Sequence, residues 1–334
     1  MAETGEPPSS GFVPDPGYRE HYPWHAKTWA TLTQGIARLP HAILLQGPAG
    51  LGKGAFAWRL AHFLLCVNRG ADASACGTCH SCTLFAAGTH PDLLTVRPPE
   101  DSATIPVDQV REVRDFLALK PHTAAHKLVL LAPAEAMNVN AANALLKVLE
   151  EPPPGGVLVL VTAQPARLPA TLRSRCSAIA FRAPAHADGR QWLDRQGVTG
   201  DLETALEQAG DAPLLALASI RSPNPVGHEQ LRKDLEALQA GQDDPLRCAT
   251  RWKNAGASYC LGWLQRHVAD LIRAKMTGTD LPENSKKLSL NLKDLFKYSD
   301  AVAEAKNLLR GPLDEGLLLE DLLIQWHRIS RRIG

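Results

Sequence analysis

Gly47-Pro48-Ala49-Gly50-Leu51-Gly52-Lys53 follows, after Gln46, on the short apolar run His41-Ala42-Ile43-Leu44-Leu45, and that order constrains the fold more than any other feature of this 334-residue chain. The run reads as a buried strand that ends at a glycine-rich turn. Phe56, Leu60, Phe63 and Leu64 then recur at helical spacing, so a helix is expected from about residue 54 to 66. A G-x-x-x-x-G-K loop between a strand and a helix is the context in which backbone N–H groups and a helix N-terminus cradle phosphate, with the lysine reaching its outer oxygens. Further strands are expected at 93–96, 127–131 and 156–162, with helices at 107–119 and 138–151. Strands alternating with helices imply a parallel sheet covered on both faces.

The loop lacks what hydrolysis needs. After Lys53 stands Gly54, where the motif calls for a Ser or Thr hydroxyl to hold magnesium. The strand that should end in an acidic metal partner runs Leu128-Val129-Leu130-Leu131-Ala132-Pro133, and neither residue after Leu131 can coordinate an ion. Glu135 is the nearest carboxylate and sits two or three positions late. Both defects fall on the same ion, so Gly47, Gly50, Gly52 and Lys53 are expected to form a degenerate nucleotide loop. Bound ATP or ADP stays open beside a bare turn of the chain.

Cys66, Cys76, Cys79 and Cys82 have the spacing C-x9-C-x2-C-x2-C. Four thiolates suit tetrahedral zinc with no open position, a structural rather than a catalytic site. His80 is expected to be a bystander, and His90, in Gly88-Thr89-His90-Pro91-Asp92, to order a turn back into the sheet. Cys176, Cys248 and Cys260 are scattered and expected to pack as small apolar side chains. Residues 66–92 hold one basic side chain, Arg69, which disfavours a nucleic-acid-binding ribbon.

Lys plus Arg total 36 against 35 Asp plus Glu, so the net charge of +1 supplies no global footprint for gripping DNA or anionic lipid. No apolar stretch approaches the roughly 18–20 residues of a membrane helix, and the N-terminus does not read as a signal peptide. Seven cysteines, four of them within seventeen positions, fit metal binding in a reducing compartment, and a cytoplasmic location is expected. Residues 1–18 read as a disordered tail. After Pro184 the strand signal disappears and helices follow, broken at Gly197, Gly210 to Pro213, Arg221 to Gly227 and Gly241 to Pro245.

The loop, the four-cysteine insert, GTHPD at 88–92, NALLKVLEEPP at 143–153 and TLRSRC at 171–176 together resemble the delta-prime subunits of the bacterial DNA polymerase III clamp loader. The resemblance runs from Tyr22-Pro23-Trp24 through Phe181. It implies an AAA+ RecA-like α/β domain over 19–184 with a zinc module at 66–82, a small helical lid at 185–222, and an all-α collar at 227–334. It also implies a heteropentameric ring with gamma/tau-type ATPase subunits and a delta subunit, which loads a sliding clamp on primer-template DNA. In that family the arginine of Ser-Arg-Cys, here Arg175, enters the ATP site of an adjacent subunit. Arg173 has no assigned role, and Thr162, where the family keeps a phosphate sensor, is expected to be structural. The chain is thus expected to be a non-motor partner without catalysis of its own, any polymerase label belonging to the holoenzyme. The rival readings are an active AAA+ ATPase and a zinc-containing nucleic-acid-binding module.

Overall fold

Short apolar runs bounded by turn residues become strands β1 (Ala42–Gln46), β2 (Leu93–Val96), β3 (Lys127–Leu131) and β4 (Gly156–Thr162), joined by an edge strand β5 (Ser177–Ala180). The computed structural model describes residues 16–100, 102–221, 226–278, 291–309 and 313–331. All five strands are parallel, in the order β2-β3-β4-β1-β5. Leu44 lies opposite Leu160 in one ladder and Leu131 opposite the same Leu160 in the next. Successive strand residues point to opposite faces, and two cores form accordingly. Ile43, Leu45, Leu128, Leu130 and Val159 pack with Phe56, Leu60 and Leu64 of α2 (Lys53–Leu65). Leu44, Val129, Leu131, Leu158 and Leu160 pack with Val110 and Val113 of α4 (Val107–Ala118) and Leu145 and Leu149 of α5 (Val139–Glu150).

The parallel order and the helices on both faces are the α/β layering that the sequence predicted. Strands β2, β3 and β4 start and stop where the apolar runs do. Strand β5 carries no such signal, because Ser177, Ala178 and Ala180 are small and exposed at the sheet edge, where pairing to β1 and not burial defines the strand. Asn138 caps α5, its side-chain oxygen accepting the Ala141 N–H at 2.8 Å.

Helices α1 (Ala26–Gln34), α3 (His80–Ala86) and α6 (Ala170–Arg173) decorate this sheet. Three more, α7 (His186–Arg195), α8 (Leu202–Gln208) and α9 (Pro213–Arg221), pack on one another around Trp192, Leu193, Leu206 and Leu217. Of the tail expected at 1–18, residues 1–15 lie outside the described residues. Tyr18 itself is buried in a turn, edge-on to His62 and Phe85, because an aromatic ring there completes the packing under α2 and α3. Of the expected break at 221–227, residues 222–225 lie outside the described residues.

The chain divides into two compact units, Met1–Arg221 and Ser222–Gly334. The second consists, among the described residues, of α10 (His228–Ala240), α11 (Pro245–Thr277, interrupted at Gly256), α12 (Leu292–Leu308) and α13 (Glu315–Ser330). Its core is built on Trp252, Leu264, Tyr298, Leu323 and Trp326. Cys248 and Cys260 are fully buried in it, and burial pushes both thiols up to about 12. No helix among the described residues is long and apolar enough to cross a membrane.

Candidate functional site

The glycine-rich loop joins β1 to α2 as its sequence requires, and its backbone is committed to neighbouring protein. A Cβ at Gly47 (φ 143°) would lie 2.2 Å from the Phe181 carbonyl oxygen, and one at Gly50 (φ 74°) 2.3 Å from Leu215 Cγ. Leu214 N–H donates to the Gly50 carbonyl at 3.1 Å, so the first turn of α9 lies on the loop. Trp24 Nε1 and His25 Nε2 both donate to the Leu51 carbonyl, at 3.0 and 2.7 Å. A carbonyl only accepts, so Nε2 of His25 carries the proton. Burial lowers this imidazole to about 4 and keeps it neutral. Tyr22 stacks on Trp24, and Trp192 of α7 meets both rings edge-on. The aromatic start of the domain and the helices after Pro184 thus brace one loop. Sequence reasoning missed that brace; its only signal was the aromatic density of Tyr22-Pro23-Trp24.

Lys53 is buried and turns back on its own loop, donating to the Pro48 carbonyl at 2.5 Å. Burial pulls its ammonium below the ordinary lysine value, and the charge of Glu135 opposes the shift. Glu135 is itself buried: Oε1 accepts the Ala163 N–H at 3.1 Å, and Oε2 has no partner among the described residues. Gly54 is exposed, with open space where a side chain would stand. Thr162, fully buried at the end of β4, accepts the Gln164 N–H on Oγ1 at 3.0 Å.

The four cysteine sulfurs lie within 4.8 Å of one another. Cys66 ends α2, Cys76 and Cys79 flank Gly77 (φ 73°), and Cys79 caps α3, whose first turn carries Cys82. Sulfur–sulfur separations are 3.6 Å for Cys66–Cys76, 4.0 Å for Cys66–Cys79 and 3.9 Å for Cys76–Cys82. A tetrahedron with metal–sulfur bonds of about 2.3 Å has edges of about 3.8 Å, so the set fits one tetrahedral ion and can hold a metal. Backbone N–H groups aim at three of the sulfurs: Cys76 N at Cys66, Cys79 N at Cys76 and Cys82 N at Cys79. Such donors stabilise thiolate charge. His80 is exposed and not part of the set. Arg69 is spent on the end of α2, donating to the Cys66 and Leu64 carbonyls.

His90 orders the turn beneath this module. Its Nδ1 accepts the Asp92 N–H, so Nε2 donates to Ser81 Oγ at 2.6 Å, and Ser81 in turn donates to the Leu65 carbonyl. Asp92, wholly buried, accepts N–H groups from His122, Thr123 and Ala124 and pairs with buried Lys127 at 3.4 Å. The Gly-Thr-His-Pro-Asp sequence therefore joins the cysteine module to β2 and β3.

Arg175 follows α6, which buried Leu172 anchors. Its guanidinium donates to the Thr171 carbonyl at 3.0 Å and pairs with Glu150, the last residue of α5, at 2.8 Å. The side chain stays 38% exposed, so the fork is held at the surface. Cys176 beside it is half-buried, its thiol pushed up to about 11 by burial.

Residues 24–185 match the family model described as DNA polymerase III, delta subunit, and residues 228–328 match the model for the C-terminal region of the DNA polymerase III delta subunit. The DNA polymerase III subunit delta' of Pseudomonas aeruginosa is 38% identical over 324 residues, 91% of this chain and 97% of that protein. Its Escherichia coli counterpart is 34% identical over 78% of this chain and 80% of its own length. Among solved structures, a gamma-subunit-related DNA polymerase III protein of Thermotoga maritima covers 91% of this chain and 99% of its own, at 19% identity and a TM-score of 0.46. With a relative 38% identical across nearly the whole of both chains, this chain belongs to the delta-prime family of DNA polymerase III subunits.

Proposed function

We propose that this delta-prime family member is a non-motor subunit of the clamp loader, which lends Arg175 to the ATP site of a neighbouring gamma/tau-type subunit. Its other partners in this reading are a delta subunit in the same heteropentameric ring, and through the ring the sliding clamp and primer-template DNA. The observation that carries the reading is the state of its own loop. Lys53 is bonded to Pro48, Leu214 to Gly50, and the Leu215 side chain stands against Gly50. Lys53, which would reach the phosphates, is satisfied by protein, and Leu215 stands against the loop, while Gly54, Ala132 and Pro133 supply nothing for magnesium. A subunit that cannot fire by itself contributes through what it presents. Arg175 fits that role: the planar fork is permanently charged, suited to terminal phosphate oxygens, and held at the surface by Glu150 and Thr171.

Zinc in the four-sulfur set would cross-link the end of α2 to α3; the four thiolates hold it and leave no position for chemistry. We further propose α7–α9 as the lid, closing on the loop through Leu214 and Leu215, and the second unit as the collar.

In a reconstituted ring, Arg175→Ala should lower ATP turnover at the adjacent site by about 10³- to 10⁵-fold, the range of arginine fingers, and the ring's total accordingly, while assembly survives. Unchanged turnover removes the finger. The active-motor alternative rests on one observation, the buried Oε2 of Glu135 without a partner and its charge acting on Lys53. ATP hydrolysis by the purified chain, abolished by Lys53→Ala, would put that alternative first; no turnover supports the non-motor reading.

A further inference from the structure

A cleft of about 320 Å³ opens between the N-terminal turn, α2 and the cysteine loop, and it shares no residue with the glycine-rich loop. Tyr18, Arg19, His21, Trp29, Arg59 and His62 are among its lining residues. Its electrostatics are unbalanced. Among the described residues, no carboxylate lies within ion-pairing distance of Arg19, His21, Arg59 or His62. Asp72 is the one acid whose charge reaches Arg59 and His21, and its Oδ1 already accepts from Ser74 N and Oγ.

Arg59 lines the cleft from α2. Its guanidinium carbon lies 3.8 Å from the centroid of the Trp29 ring, whose own Nε1 is fixed on the Ala73 carbonyl. Stacking holds the plane of the fork but uses none of its N–H donors. The side chain is only partly exposed, and partly desolvated donors left without acceptors are costly, so they ordinarily mark a place where water or a ligand belongs. His62 stacks on Phe85 and meets Tyr18 edge-on, and its Nε2 is shut off from solvent without a partner among the described residues. Arg19 donates to the Tyr18 hydroxyl and otherwise faces solvent.

We infer that this cleft is a binding site for a phosphate group, with Arg59 and Arg19 taking its oxygens. The volume falls within the roughly 300–1,000 Å³ of small-molecule sites. A rigid guanidinium fork matches phosphate oxygens in pairs. A free nucleotide and the phosphorylated end of a single strand share this chemistry.

Calorimetric titration of the full chain separates the sources, with ADP as one probe and a ten-nucleotide single strand bearing a 5′-phosphate as the other. At least one probe should bind. Arg59→Gln should weaken it at least tenfold, Arg19→Gln by a smaller factor, and removal of the phosphate from the probe at least tenfold. Arg19 is exposed, so its variant is informative even where Arg59→Gln lowers stability. ADP alone identifies the free nucleotide and the strand alone identifies a strand end. No binding of either probe at millimolar concentration overturns the inference. Binding that survives both arginine variants overturns it as well, since the ligand then sits elsewhere.

Discussion

Asp92 shows what one residue contributes beyond its charge. Its carboxylate collects three backbone N–H groups of the 122–124 turn and the buried ammonium of Lys127. Burial opposes ionisation, but the N–H donors from Ala124, Thr123 and His122, with Lys127, outweigh it and hold the carboxyl at about 2. A depressed folded value means a contribution fully present above the unfolded carboxylate range, near pH 4, and lost as pH falls toward 2. Asp92→Ala leaves a buried lysine and three donors unpaired, so a loss of about 3–5 kcal/mol is expected, measurable by denaturant unfolding at pH 7. A loss below about 1 kcal/mol would mean that water replaces the carboxylate. The Pro-Asp pair was legible as a turn, but the identity of its partners was not. They lie thirty and more positions away, and no local pattern encodes who accepts from whom.

At the scale of elements, polar contacts order the cysteine knuckle and add to the apolar core of the α7–α9 helices. Metal analysis of the purified chain should find one zinc, and Cys76→Ser should remove it and lower the thermal midpoint; a metal-free chain of unchanged stability would sink the zinc assignment. The spacing announced this cluster, because C-x2-C geometry is local, and Cys66 joins it because α2 ends where it does. His186 was not singled out by the sequence. Its Nδ1 meets Asp211 at 2.5 Å and its Nε2 meets Glu203 at 2.8 Å, tying α7 to α8 and to the turn before α9. Asp211 first, then Glu203, raise the imidazole above its ordinary value. The stabilisation is therefore complete below about pH 6.5 and fades as pH rises through the raised value. His186→Ala should flatten the pH dependence of unfolding between about pH 6 and 8, and an identical slope in both proteins would show that the carboxylates do not engage the ring. The edge strand β5 was equally invisible to local patterning: its residues are small and exposed, and β1 beside it supplies the pairing that makes it a strand.

At the scale of the molecule, each unit has its own core, and in the second the indole N–H of fully buried Trp252 donates to Asp234 at 2.9 Å. Asp234 also pairs with Arg251 at 3.1 Å. Trp252→Ala should cost about 3–5 kcal/mol, read as a lowered unfolding midpoint. A cost under about 1 kcal/mol would mean that the helices close over the gap. By itself the sequence determined what is periodic or short-range. It supplied the parallel α/β core, the loop between β1 and α2, the cysteine set and the helix breaks at Gly241 and Pro245, because burial alternation, turn chemistry and knuckle spacing act over a few residues. Only the tertiary structure decided that Leu214, Leu215, Trp24 and His25 close on the loop, that Glu150 holds Arg175, and that Arg59 lines a cleft with no carboxylate within ion-pairing distance among the described residues. Those facts depend on which distant segments meet in space, and such meetings are set by the packing of whole faces.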